Sequence, residues 1–302
     1  MEKDFKLMVA PLQGLTVAEW RRVYFDMFGN SQGLVEYFTP FIRVEKGVVR
    51  ARDLRDFTSD LNKGMMLTPQ IIFKDAEEWR LLVDTLAEAG AERVDMNMGC
   101  PFPPQVKKGR GAGMLSIPDR VAEIADEMAH YPEIQFSVKM RLGVNDPTEA
   151  LALAYIINSM PLRHVTIHPR TAKQQYKGNL LLSEMKEFSS MLKHPIVFNG
   201  EIANPSDIDA LTSDYDGVMV GRGLLARPSL FAEYHSGREL PIKQREEAFL
   251  NLINNTSSLL EDRLCGAAQL RDKMKPYWEY APASLDKKIV KIGKKKGVIG
   301  SI

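Results

Sequence analysis

"QFSVKMRLG", residues 135–143, reads as a β-strand with two unlike faces. Side chains alternate across a strand, so Phe136, Val138 and Met140 share one face and Ser137, Lys139 and Arg141 the other. A strand in a helix-covered parallel sheet is expected to be apolar on both faces. A polar face that becomes cationic toward the strand's C-terminal end fits the inner wall of a closed barrel, where the loops beyond the strand ends build sites.

The same pattern recurs outward along the chain. Asp95 and Asn97 oppose Val94, Met96 and Met98; Thr166 and His168 oppose Val165 and Ile167; Val197 and Asn199 oppose Ile196 and Phe198. Eight short apolar runs stand at 6–12, 34–40, 65–73, 93–99, 135–143, 164–170, 194–200 and 216–222. Amphipathic segments separate several of them. The clearest, 75–90, starts on Asp75 as an N-cap and ends on Gly90 as the residue past the last turn. Weaker helices are expected over 118–130, 147–159, 183–192 and 205–212. Eight strands with crossovers predict a (β/α)8 TIM barrel, with an open doubly wound sheet as the alternative. In the barrel, Gln70, Asn97, Cys100, Lys139, Arg141, His168 and Asn199 gather at one mouth.

Past Phe231 the pattern becomes helical, which predicts a small helical domain over 237–302 after a barrel over 1–236. From residue 271 onward nine Lys or Arg face three acids, a composition that also suits a solvated terminus. With 302 residues and 44% hydrophobic content, the chain can bury a large core. Its net charge of +1 makes it no overall magnet for nucleic acid, so any basic surface is local. The two cysteines, Cys100 and Cys265, lie far apart with no CxxC and no metal-type cluster, which fits a reducing cytoplasm. The stretch "MEKDFKLMVAPLQG" lacks the apolar run expected of a signal peptide, and no apolar run approaches a membrane span. Nothing demands more than a monomer.

Two stretches carry chemistry. In "VDMNMGCPFPP" (94–104), glycine and proline stop the strand and set the Cys100 thiol where the loop opens. Cys265, within a helical run, reads as a packing residue. The loops "NGEIANPSD" and "GRGLLARPS" follow the last two strands, the usual phosphate site of such barrels, although turn chemistry alone explains either glycine. "GRGAG" (109–113) lacks the preceding strand and the full spacing of a dinucleotide fingerprint.

Six motifs in order resemble those of the tRNA-dihydrouridine synthases, a family of flavoenzymes: "APLQG", "NMGCP" with "GRGAGML" behind it, "VKMRLG", "IHPRTAKQQYKG", "FNGEI" and "GVMVGRGLLARPSLF". Pro169 and Gln175 stand where that family commonly has glycine, and "FPPQV" after the cysteine is unusual. The resemblance implies FMN-dependent reduction of the C5=C6 bond of a D-loop uridine in tRNA, with NADPH as electron donor. Cys100 is then the proton donor, since a thiol is mostly protonated near neutrality. FMN contacts are expected from Pro11, Leu12, Gln13, Gln70, Lys139 and His168, and its phosphate is expected on Asn199, Gly200, Glu201, Gly221 and Arg222. Asn97 and Arg141 are expected to hold the uracil or its nucleotide. Lys107, Lys108, Arg110, Arg170, Lys173 and Lys177 are expected to grip RNA phosphates, with Tyr176 stacking. Two other readings remain: a flavin barrel acting on a free pyrimidine or related small molecule, and a non-catalytic tRNA-binding protein.

Overall fold

The computed structural model describes residues 5–29 and 33–298; the outermost residues of the charged N-terminal stretch and of the basic tail lie outside them. Among the described residues eleven strands run in chain order: β1 Lys6–Val9, β2 Val35–Phe38, β3 Ile42–Glu45, β4 Val48–Val49, β5 Met66–Thr68, β6 Gln70–Ile72, β7 Arg93–Met98, β8 Gln135–Gly143, β9 Leu162–Thr171, β10 Ile196–Phe198 and β11 Gly217–Val220. β1 pairs with β11 and β2, and β2 with β5. β6 pairs with β7, and β7 through β11 follow in sequence, all parallel. β5 and β6 are one stave broken at Pro69, so the ring closes with eight positions, the barrel the apolar runs predict.

Pro69 explains the break in the expected run 65–73. It has no N–H for a ladder. Its carbonyl still accepts from Asp95 N at 2.9 Å, while Thr39 Oγ1 accepts from Gln70 N at 3.1 Å. Beyond β2 the chain adds a hairpin that the eight runs omit. β3 lies parallel to β6 and antiparallel to β4, turning at Lys46 and Gly47 with φ of 53° and 78°. Two positive φ values suit a two-residue hairpin turn, and glycine takes one of them without strain.

Helix Ala76–Glu88 starts as expected: the Asp75 carboxylate accepts from Glu78 N at 2.9 Å, and Gly90 adopts φ 84° past its end. Helices Pro118–Met128, Thr148–Ser159, Leu182–Met191 and Pro205–Asp209 follow their strands in turn. The strand faces turned to them are apolar and fully buried, as at Phe136, Val138 and Met140. Inside the ring the two halves differ. Met8, Ala10, Phe38, Val197 and Met219 form a small apolar cluster on the β1, β2, β10 and β11 side. The β6 to β9 side is polar and stacked in register: Gln70 beside Asp95 beside Ser137, then Asn97 beside Lys139, then Arg141 beside His168.

After Gly237 the chain forms helices Ile242–Glu261, Ala267–Met274 and Lys287–Lys296, with a 3₁₀ turn at Lys275–Tyr280. Phe249, Leu252, Ile253 and Leu260 are buried on the first of them. Phe249 meets the buried Trp278 edge-on, with ring centroids 5.7 Å apart. A Cβ on Gly293 would fall 2.2 Å from that indole, so only glycine lets the last helix lie against it. These helices also clamp the β1 loop: Lys273 Nζ donates to Gly14 O at 2.7 Å, and the Tyr277 hydroxyl donates to Leu15 O. Cys265 departs from its expected packing role. It is exposed, at the bend between two helices.

Candidate active site

A cavity of about 680 Å³ opens at the C-terminal ends of the strands, the end where barrels of this kind carry their sites. Pro11, Leu12, Gln13, Asn97, Cys100, Lys139, Arg141, His168, Tyr176, Asn199, Gly200, Glu201, Gly221 and Arg222 all line it. The sequence thus brings most of its predicted site together. It missed Phe41 and Ile202, and above all Glu279, Tyr280 and Ala281, which the C-terminal helices contribute. The signal for the last three was the aromatic cluster "PYWEYAP" inside an otherwise basic tail.

Cys100 sits at the lip, half-buried and unpaired. Burial raises its thiol above the usual range, outweighing the Phe102 N–H and the Arg141 and Lys139 charges that pull it down. The sulfur therefore stays protonated at neutral pH, as a proton donor requires and a thiolate nucleophile does not. Its loop is built closely. Gly111 has φ 57°, and a Cβ there would fall 2.8 Å from Cys100 Cβ. "GRGAG" is thus a buttress behind the cysteine: Gly113 packs beneath Val106 O, where a Cβ would fall at 2.5 Å.

Lys139 makes no hydrogen bond or ion pair among the described residues, and burial lowers it to about 8. His168 is held neutral by burial and by the charges of Lys139, Arg141, Arg170 and Arg222. Its Nε2 lies 3.2 Å from Arg170 Nη1, which can only donate, so the ring proton sits on Nδ1. Arg222 also lacks a hydrogen-bond partner among the described residues and stacks 4.8 Å from the Tyr176 ring centroid. An unpaired ammonium, a neutral N–H donor and an unpaired guanidinium form a donor set with no acceptor of its own. That set fits an electron-rich, phosphate-bearing group, which Lys139, His168, Arg222 and the backbone turns at Asn199–Glu201 and Gly221–Arg222 could hold.

Several predicted residues serve otherwise. Gln70 does not reach the cavity; it is fully buried between Asp95 and Asn97. Asn97 does reach it, but its Oδ1 accepts from Gly99 N at 3.1 Å and Cys100 N at 2.9 Å. Arg141 donates to Gly99 O at 2.9 Å and to Thr171 O and Gln175 O at 3.0 and 2.6 Å, and its guanidinium lies 5.3 Å from the Tyr176 centroid. It ties the loops after β7 and β9 together as well as facing the cavity. Arg110 is not a surface grip: it is buried against Glu78 and Val44 O. Arg170 is not one either, being buried against Gly178 O, His168 and the Glu201 carboxylate. Glu201 consequently offers its backbone to the cavity, with its carboxylate turned to Arg170. Lys107, Lys108, Lys173 and Lys177 are exposed. Tyr176, at 51% exposure, lines the opening, and Phe102, at 57% exposure, stands two residues past Cys100.

The model of the dihydrouridine synthase family matches residues 8–290. Relatives include tRNA-dihydrouridine synthase B of Proteus vulgaris, 29% identical over 75% of this chain and 70% of its own length. A probable tRNA-dihydrouridine synthase of Rickettsia bellii is 28% identical over 86% and 81%. A tRNA-dihydrouridine(16) synthase of Neisseria meningitidis is 27% identical over 80% and 75%. Among solved structures, morphinone reductase superposes with a TM-score of 0.52 at 13% identity, covering 78% of this chain and 86% of that one. That likeness bears on the barrel fold.

Proposed function

The chain belongs to the dihydrouridine synthase family, and from that premise we propose that it reduces the C5=C6 bond of a D-loop uridine in tRNA. FMN would be the resident cofactor in this reading, with NADPH as its electron donor, and when bound and reduced it would supply the hydride for C6. The observation that carries the proposal is the half-buried Cys100 thiol at the lip of a cavity lined by the unpaired donors Lys139 and Arg222.

The residues divide the work. Cys100 holds a proton at the cavity lip and would deliver it to C5 of the uracil. Lys139 and the Nδ1–H of His168 stabilise negative charge at the flavin's polar edge. The cation at Arg141, fixed by three carbonyls, stands at the nucleotide's side of the cavity. A uridine inside folded tRNA must leave its stack to reach this depth. Tyr176 and Phe102 offer aromatic faces at the rim, and Lys107, Lys108, Lys173 and Lys177 offer cations for phosphates. Residues 237–302 serve as a helical tRNA-binding domain, working as a monomer in the cytoplasm. The Asp286-capped last helix carries Lys294, Lys295 and Lys296 in its final turn.

Unmodified tRNA incubated with the protein, FMN and NADPH tests this reading. Dihydrouridine mapped to the D-loop supports it. Reduction of free uracil or uridine with untouched tRNA would favour the small-molecule alternative, and a protein that takes up no flavin would favour the non-catalytic one.

A further inference from the structure

Beneath the Cys100 loop, four side chains form one directed hydrogen-bond chain. Ser137 Oγ donates to Asp95 Oδ1 at 2.6 Å, and Gln70 Nε2 donates to Asp95 Oδ2 at 2.7 Å. Asn97 Nδ2 donates to Gln70 Oε1 at 2.7 Å, and Asn97 Oδ1 accepts the Gly99 and Cys100 backbone N–H groups. Amide flips are ordinarily ambiguous, but here both ends are fixed. The backbone N–H groups can only donate, and an ionised carboxylate can only accept. Gln70 must therefore turn its NH2 to Asp95, which leaves its oxygen for Asn97. Asn97 must then present its NH2 to Gln70 and its oxygen to the loop.

We propose that Asp95 is a positioning residue for Cys100, setting through Gln70 and Asn97 the one amide orientation that holds the thiol's loop in place. The inference rests on the proposed role of Cys100 as proton donor. Asp95 itself is fully buried and lines no part of the cavity, so it acts through its neighbours. Its carboxylate also lies near Lys139, whose charge it influences. A charge effect and a hydrogen-bond effect must therefore be separated.

Asp95→Asn and Asp95→Ala separate them. Asparagine removes the charge yet can keep the polarity, with its oxygen toward Gln70 and its NH2 toward the Ser137 hydroxyl. Alanine removes both. Gln70→Met breaks the chain one link nearer the loop, leaves the Asp95 charge, and is the companion should the alanine variant fold poorly. In a Cys265→Ser background, the iodoacetamide alkylation rate of Cys100 is measured alongside oxidation of the reduced enzyme by tRNA. Asp95→Ala and Gln70→Met should alkylate at least threefold faster and be oxidised by tRNA at least tenfold more slowly, with flavin content and flavin reduction within about twofold of the parent. Asp95→Asn should stay within about threefold of the parent on every measure. Equal losses in Asp95→Asn and Asp95→Ala would overturn the inference in favour of a charge effect on Lys139. So would unchanged alkylation in both chain-breaking variants. A parent enzyme that leaves tRNA unreduced would instead refute the proposed function, while the alkylation rates still judge the chain.

Discussion

At residue scale, Lys139 links the cavity to pH. Burial, with the Arg141 charge beside it, brings its ammonium from 10.5 to about 8, and the Asp95 charge offsets only part of that cost. In the flavin-free protein the unfolded chain holds more protons between those values, so the Lys139 contribution to stability rises with pH across that window. A bound anionic or electron-rich group reverses the preference, because it favours the charged lysine. FMN affinity should therefore weaken as pH rises above about 8, by up to about tenfold per unit, with proton uptake on binding. Calorimetric titration from pH 7 to 9.5 in buffers of differing ionisation heat reads both quantities. Lys139→Met should bind more weakly and without that pH dependence; a steep profile in the variant would assign it to another group. The inward face of β8 made Lys139 and Arg141 readable from alternation alone. Gln70 was misread because the same alternation cannot distinguish a side chain that reaches the mouth from one buried a layer below it.

At the scale of elements, the strands announced themselves through period-two patterning, and the long helix over 76–88 through its Asp75 cap and Gly90 stop. The Pro69 break and the 42–49 hairpin were missed for a physical reason. Short strands carry little pattern, and their register is set by turns and neighbours. The loops show the same limit, since Arg110 and Arg170 look like surface cations in sequence and become buried clamps through partners distant in the chain. Two substitutions test the loop geometry. Gly111→Ala places a Cβ against Cys100 at φ 57°, and should cost about 1–3 kcal/mol and slow uridine reduction, with flavin still bound. Normal turnover in a stably folded Gly111→Ala protein would count against the buttress. Gln175 holds φ 52° while giving its carbonyl to Arg141. Gln175→Gly keeps that carbonyl and relieves the left-handed strain, so it should melt higher, by about 1 kcal/mol in stability; a lower melting temperature would mean that the glutamine side chain itself is needed.

Over the whole molecule, the barrel and the C-terminal helices share the cavity. Glu279, Tyr280 and Ala281 form part of its wall, and Lys273 and Tyr277 hold the β1 loop. Deleting the helices would damage the cavity as well as the proposed RNA contact, so charge removal is the cleaner probe of the basic helix. Neutralising Lys294, Lys295 and Lys296 to glutamine should weaken tRNA binding and flatten its salt dependence by about one unit of slope or more, with flavin binding unchanged. An unchanged slope would move the RNA path elsewhere on the surface. The most direct test of the central claim brings all scales together: reduced, FMN-loaded protein is mixed with unmodified tRNA in a single turnover, and dihydrouridine is mapped for the parent and for Cys100→Ala. The parent should convert a D-loop uridine, and Cys100→Ala should do so about 100-fold more slowly or worse, with its flavin still bound and reducible. Conversion by Cys100→Ala at the parental rate would remove Cys100 as the proton donor.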